Sequence, residues 1–234
     1  MGRNKKAIIV LTYILIIFGF IAATYGASVA TSTVARLIPM ERNRTIVIDP
    51  GHGGIDGGAV SVSGLSESQY NLEISLKLND LFHLLGFQTK LIRDSDVSIY
   101  TTGGTIAAKK VSDLRQRVQM VNETENGILL SIHQNTFSDE QYNGAQIFYG
   151  MKGESRELAD LLQTEFRNSI NPNSKREIKK AEGVYLMQHI ECTGVLVECG
   201  FLSNPEEEVK LRSSEYQRKI CCIIATVTGQ FLTK

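Results

Sequence analysis

Several short stretches of this chain are almost wholly apolar and stop abruptly at a polar, chemically versatile residue. Thr45-Ile46-Val47-Ile48 runs into Asp49, Gly127-Ile128-Leu129-Leu130-Ser131-Ile132 into His133, and Gly194-Val195-Leu196-Val197 into Glu198. Such runs, lacking polar alternation, fit strands of a sheet covered on both faces, as parallel sheets are. Further strand candidates are 87–92, 145–149 and 184–187. Helical patterns cover 66–85, 112–123, 155–169 and 214–231. In the first, Leu72, Leu76, Leu81 and Leu85 with Ile74 and Leu78 give a broad apolar face, and Gly86 is a natural C-terminal stop. Strands alternating with helices define an α/β chain. Residues 94–110, carrying Gly103 and Gly104, form an excursion beside this pattern whose length and glycines suit covering a site or binding a partner.

The composition supports a packed domain and removes several function classes. At 234 residues and 42% hydrophobic, the chain can fill a core, which excludes disorder, collagen or a small disulfide scaffold as an overall description. Its 25 basic and 25 acidic side chains provide no basic excess for nucleic acid. That balance hides two unlike parts. Six of the 25 basic but only one of the 25 acidic residues lie in 1–44, so the remainder carries 19 against 24.

Residues 7–23 are apolar apart from Thr12 and Tyr13, and follow Arg3, Lys5 and Lys6. A basic flank before such a run predicts a signal or membrane-anchor segment over 1–30, with the rest of the chain outside the cytoplasm. Small residues at Ala27, Ser28 and Ala30 suit a signal peptidase, whereas the length of the run favours an uncleaved anchor. Residues 31–44 then read as a linker and 45–234 as the catalytic domain. Cys192, Cys199, Cys221 and Cys222 crowd the end of the chain, without C-x-x-C pairs. They read as free thiols packed like small apolar residues rather than a disulfide framework.

Ligands of open α/β sheets gather beyond the carboxyl ends of strands, where His52 and His133 both fall. The loop Asp49-Pro50-Gly51-His52-Gly53-Gly54 lacks the third glycine of a dinucleotide fingerprint and any Gly-Lys-Ser/Thr, so a nucleotide loop does not fit; a plain structural turn still does. Two imidazoles hold a divalent ion weakly, and a catalytic zinc site commonly has three protein ligands. Glu67, at the start of the first helix, can return to the same sheet edge, although an acid there also serves the helix dipole. Glu198 ends an apolar strand, where burying a carboxylate is costly without a partner; it could equally turn to solvent. His83 and His189 read as structural or surface residues. Together, two histidines and two glutamates at strand ends suit a hydrolytic metal centre.

Four ordered motifs carry a family resemblance: Ile48-Asp49-Pro50-Gly51-His52-Gly53-Gly54, Glu67-x-x-x-Asn71-Leu72, Ser131-Ile132-His133-x-Asn135, and Leu196-Val197-Glu198-x-Gly200-Phe201-Leu202-Ser203-Asn204. In this respect the chain resembles the zinc-dependent N-acetylmuramoyl-L-alanine amidases (the amidase_3 family) over essentially 45–234. The resemblance implies a single three-layer α/β domain with a twisted, mostly parallel six-stranded sheet flanked by helices. It also implies Zn2+ held by His52, Glu67 and His133, with Glu198 as the catalytic acid/base. The substrate implied is peptidoglycan, cut between the lactyl group of N-acetylmuramic acid and the L-Ala of the stem peptide.

Within the family, the single catalytic domain, the anchor and the absence of wall-binding repeats resemble the sporulation amidases of the CwlD type. That implies spore-cortex maturation through muramic lactam, needed for germination, and a location outside the cytoplasm between the two forespore membranes. Cys192-Thr193-Gly194, where many relatives carry a proline and small residues, departs from the pattern. The competing expectations are a vegetative cell-wall amidase, another zinc carboxypeptidase or deacetylase acting on peptidoglycan, and an anchored wall-binding module with an inactive site. A protein activator, the stem-peptide specificity and the oligomeric state are not specified by the residues.

Overall fold

The computed structural model describes residues 44–234. The expected anchor over 1–30, and all but the last residue of the linker over 31–44, lie outside the described residues. Among those described, no helix is long and apolar enough to cross a membrane.

The elements run β1 (Thr45–Pro50), α1 (Glu67–Leu84), β2 (Gln88–Leu91), α2 (Ile106–Asn122), β3 (Gly127–Asn135), β4 (Gln146–Tyr149), α3 (Ser155–Ser169), β5 (Lys179–Lys180), α4 (Tyr185–His189), β6 (Thr193–Phe201), α5 (Pro205–Arg212) and α6 (Ser214–Leu232). Among the described residues the strands form one six-stranded sheet in the order β2-β1-β3-β6-β4-β5. Every pairing is parallel except β4 with β6, which is antiparallel. The fold class is therefore the expected one.

The apolar runs are apolar on both sides because both faces are covered. Ile46, Ile48, Ile128, Leu130, Val195 and Val197 point into one core with helices α1, α3 and α6. The alternate residues Val47, Leu129 and Leu196 point the other way, against Val121 of α2 and Leu186 and Met187 of α4. Three layers result. After β1 the chain crosses to β2 on one side, whereas β3 pairs on the other. The crevice beyond the carboxyl ends of β1 and β3 is thus a topological switch point, the place where open α/β sheets bind ligands.

Several expected elements are corrected. Residues 184–187, expected as a strand, belong to α4 and its cap. The sixth strand is instead the exposed pair Lys179–Lys180, too short and polar to show as a pattern. Helix α2 begins at Ile106, six residues before the expected start. Thr105 caps it by accepting from the Ala108 N–H, and Ile106-Ala107-Ala108-Lys109-Lys110 is good helix-forming sequence. Strands β3 and β6 continue past their apolar runs, because they pair on through His133↔Glu198 to Asn135↔Phe201. All four cysteines are free; Cys199 and Cys221 are buried, but Cys222 is exposed rather than packed.

Candidate metal centre

β1 delivers the chain to a left-handed turn made by His52 and the two glycines that follow it. His52 itself has φ 61°, a conformation costly for a residue with a Cβ, and is followed by Gly53 at φ 135° and Gly54 at φ 56°. Two buried guanidinium groups hold that strained turn from beneath. Arg93 donates to the carbonyls of Pro50 (2.9 Å), Gly51 (3.0 Å) and His52 (2.8 Å), and Arg117 donates to those of Pro50 (2.9 Å) and His52 (2.7 Å). Arg117 is anchored in turn by Asp49 at 2.5 Å and Asp113 at 2.7 Å. Although burial disfavours the charged form of Asp49, Arg117 and the Ser131 hydroxyl outweigh it and hold the carboxyl below its ordinary range.

Glu67, only 4% exposed, rises from the first turn of α1 between the two histidines. Its Oε1 lies 3.0 Å from His133 Nδ1 and accepts from the Gln134 N–H and the Asn71 amide, each at 3.1 Å. Its Oε2 lies 3.3 Å from His52 Nε2 and accepts from the Ala59 N–H at 3.1 Å. The Glu67-x-x-x-Asn71 spacing places the amide one turn further along the helix, directly against the carboxylate. On the far side of its ring, His52 Nδ1 meets Asp56 at 3.1 Å, and Asp56 also pairs with Lys110 at 2.7 Å. A carboxylate behind the imidazole in this way orients the ring and frees its other nitrogen.

The electrostatics follow from these contacts. Burial works to lower the His52 pKa, but hydrogen bonds and charge from Glu67 and Asp56 prevail and push it up to about 8. Burial works in the opposite sense on Glu67, where both histidines overcome it and hold the carboxyl far below its usual range. The rings of His52 and His133 meet edge to face, 5.0 Å between centroids. The space is reserved by glycines: a Cβ on Gly51 would enter the His133 ring, and one on Gly58 would stand 2.6 Å from Glu67 Oε2.

The structure thus brings His52, Glu67 and His133 together, with one donor atom of each within 4.8 Å of the others. Two imidazoles and a carboxylate form a nitrogen and oxygen set suited to a borderline ion such as Zn2+. Glu198 stands opposite His133 across the β3–β6 ladder. Its Oε2 is buried without a hydrogen-bond partner, and burial, reinforced by the Glu67 charge against the pull of His133, raises its pKa to about 7. An orphaned carboxylate oxygen beside three convergent donors fits a centre built around a cation and its water.

The motif after Glu198 serves the strand end. Gly200 leaves room for the Glu207 side chain, whose carboxylate accepts from the N–H groups of Gly144 and Phe201. Asn204 caps α5 by accepting from the Glu207 N–H. The other histidines stay apart from the cluster: His83 contacts Thr89, and His189 stacks on Tyr185. Sequence reasoning missed Arg93, Arg117 and Asp56. The signals available were an arginine directly after the apolar pair Leu91-Ile92, the Asp113/Arg117 helical spacing, and an acid inside the glycine loop.

A family model described as N-acetylmuramoyl-L-alanine amidase matches residues 46–227, which contain the whole of this centre. The chain belongs to that family. It is accordingly a hydrolase of the peptidoglycan amide between N-acetylmuramic acid and L-alanine. It is 38% identical over 183 residues to the germination-specific N-acetylmuramoyl-L-alanine amidase of Bacillus subtilis, covering 77% of this chain and 76% of that one. It also resembles the amidase LytC of the same species, 28% identical over 195 residues, of which it covers only 36%. Among solved structures, the CwlD amidase of Clostridioides difficile, in complex with the GerS lipoprotein, superposes with a TM-score of 0.77 at 36% identity, over 81% of this chain and 98% of that one. The family and its germination-type relatives thus agree with the resemblance carried by the four motifs.

Proposed function

We propose that this amidase family member is a Zn2+ enzyme in which His52, Glu67 and His133 hold the ion and Glu198 is the acid/base, acting in spore-cortex maturation. The observation that carries the reading is the convergence of three donor atoms beside an unpartnered, buried Glu198 oxygen. When bound, the ion supplies Lewis acidity toward the scissile carbonyl and makes a water acidic near neutral pH. The remaining work belongs to the chain. Asp56 fixes the His52 ring so that Nε2 faces Glu67, and Asn71 with the Gln134 N–H fixes Glu67 between the histidines. Glu198 accepts a proton from the attacking water and returns one to the alanine nitrogen as it leaves, serving first as base and then as acid.

The similarity to a germination-specific amidase supports the cortex as the setting. An extracytoplasmic location goes with that setting, and the apolar run behind Arg3, Lys5 and Lys6 supports 1–30 as anchor or signal, followed by 31–44 as tether and 45–234 as the catalytic domain. The lipoprotein bound to the C. difficile relative supports a protein partner for this chain as well.

Mass spectrometry of muropeptides tests the reading. Purified protein is expected to release peptides with a free L-Ala amino terminus, and chelation should abolish this until zinc is restored. Glu198→Ala should retain metal while losing turnover, whereas His52→Ala should lose the metal. Metal loss from Glu198→Ala, or chelator-resistant cleavage, would contradict the assignment.

A further inference from the structure

The mainly apolar cavity of about 320 Å³ beside His52 and His133, lined in part by Ser98, Tyr100 and Lys110, belongs to the metal centre already described. A different surface lies further along the same strands. The β3–β6 ladder runs on from His133↔Glu198 to Asn135↔Phe201, about 7 Å along β3 at the usual strand rise. There the chain leaves β3 for the 136–144 loop, which carries Phe137 and Tyr142, 54% and 43% exposed. Among the described residues, no other phenylalanine or tyrosine is exposed.

The two rings are held in place. They meet edge to face at 77° with centroids 4.8 Å apart, and Tyr142 stacks on the buried Phe201 at 6.2 Å. The Arg176 guanidinium lies 4.4 Å from the Phe201 centroid and donates to the Asn143 carbonyl at 2.8 Å. The residues after Glu198 grip the same loop: the Phe137 N–H donates to Ser203 Oγ at 3.0 Å, the Asn204 amide to the Glu140 carbonyl at 2.8 Å, and the Gly144 N–H to Glu207. Exposed aromatic rings that the core does not need, fixed at the rim of a site, mark a contact surface.

Asn143, next to Tyr142 in the chain, opens a polar groove of about 680 Å³ to which Asn171, Asn173, Asn204 and Ser174 also contribute. Asn171 is fixed there by accepting from the Ala145 N–H at 3.2 Å. Amides and hydroxyls offer donors and acceptors together, which suits a ligand covered in hydroxyl and acetamido groups. Aromatic faces complete such a site, because the C–H groups on one side of a pyranose rest their positive hydrogens on the negative face of a ring. The aromatic anchors of a protein interface close instead into a dry, complementary pocket.

We propose that Phe137, Tyr142 and this groove form a carbohydrate subsite that takes the N-acetylated glycan strand from which the scissile amide hangs. A polymeric substrate has to lie along the surface beyond the bond that is cut, and the ladder carrying His133 and Glu198 leads to these rings. The proposal rests on the amidase reading above for the identity of the polymer, but the subsite itself needs no metal.

Isothermal titration calorimetry of the full-length, zinc-loaded protein with tetra-N-acetylchitotetraose, a linear strand of acetylated sugars without lactyl groups or peptides, tests this. Saturable binding is expected, and Phe137→Ala and Tyr142→Ala should each weaken it by about tenfold, as the loss of an aromatic anchor does. Tyr142→Phe should keep the affinity, since it keeps the ring, and chelation of the zinc should leave the affinity as it was. Circular dichroism and bound zinc should match the unaltered protein in all three variants. Absence of saturable binding, or affinity lost on chelation, would overturn the proposal. Full affinity in both alanine variants would also overturn it and leave the rings to a protein partner. Failure of the amidase reading looks different: muropeptides would then yield no L-Ala amino terminus while the sugar still bound.

Discussion

Arg117 shows how much of this centre depends on groups that never touch substrate. Its side chain is 3% exposed, paired with Asp49 and Asp113, and bonded to carbonyls of the strained His52 turn. Replacing it by Met would leave the Asp49 carboxylate buried without its cation and the turn with one clamp instead of two. Loss of one partner of a buried pair costs about 3–5 kcal/mol, far more than an exposed pair. Denaturant unfolding of Arg117→Met should show a loss of that order, with reduced zinc retention at equal protein. Adding Asp49→Asn should recover part of the stability, since the orphaned charge is then gone. His133 and Glu198 were legible as polar residues at the ends of apolar runs, and His52 as a residue of the glycine loop that follows one. Arg93 and Arg117 were not, because a lone arginine in sequence gives no sign that its guanidinium will turn inward to backbone carbonyls.

The secondary elements divide by how much of their stability is local. Helix α3 has the bounds its periodicity and Pro172 suggest, and α1 differs by one residue at each end. Strands β3 and β6 exceed their apolar runs because a ladder between adjacent strands continues wherever the backbones stay parallel, whatever the side chains. β5 exists because β4 offers it an edge, and α4 forms from β-like residues because Leu186 and Met187 find apolar partners beneath it. Helix α2 starts early on its cap. Thr105→Ala should therefore cost about 1 kcal/mol, and hydrogen exchange should quicken at Ala108–Lys110 while the sheet amides remain protected. Unchanged protection there would show that tertiary contacts, rather than the cap, hold the turn that carries Lys109.

For the molecule as a whole, the two-sided sheet sets the acid response. Asp49 is depressed chiefly by Arg117, which overcomes its burial, so its contribution to stability is complete above the unfolded carboxyl pKa of about 3.9 and is lost as pH falls through the lower folded value. The protein should lose stability steeply below pH ~4, and Asp49→Asn, less stable at neutral pH, should show a shallower decline. Equal slopes for the two proteins would remove Asp49 from the account. The strand-and-helix alternation, the glycine loop and the identities of His52, Glu67, His133 and Glu198 could be read along the chain, since hydrophobic period and turn chemistry are local properties. That the β1/β3 switch point draws residues 52, 67 and 133 together with 198 across the ladder from 133, that two arginines brace the His52 turn, and that part of 94–110 lines the cavity beside it could not. Those features arise from crossovers and inward-facing side chains, which bring distant residues together only once both faces of the sheet are covered.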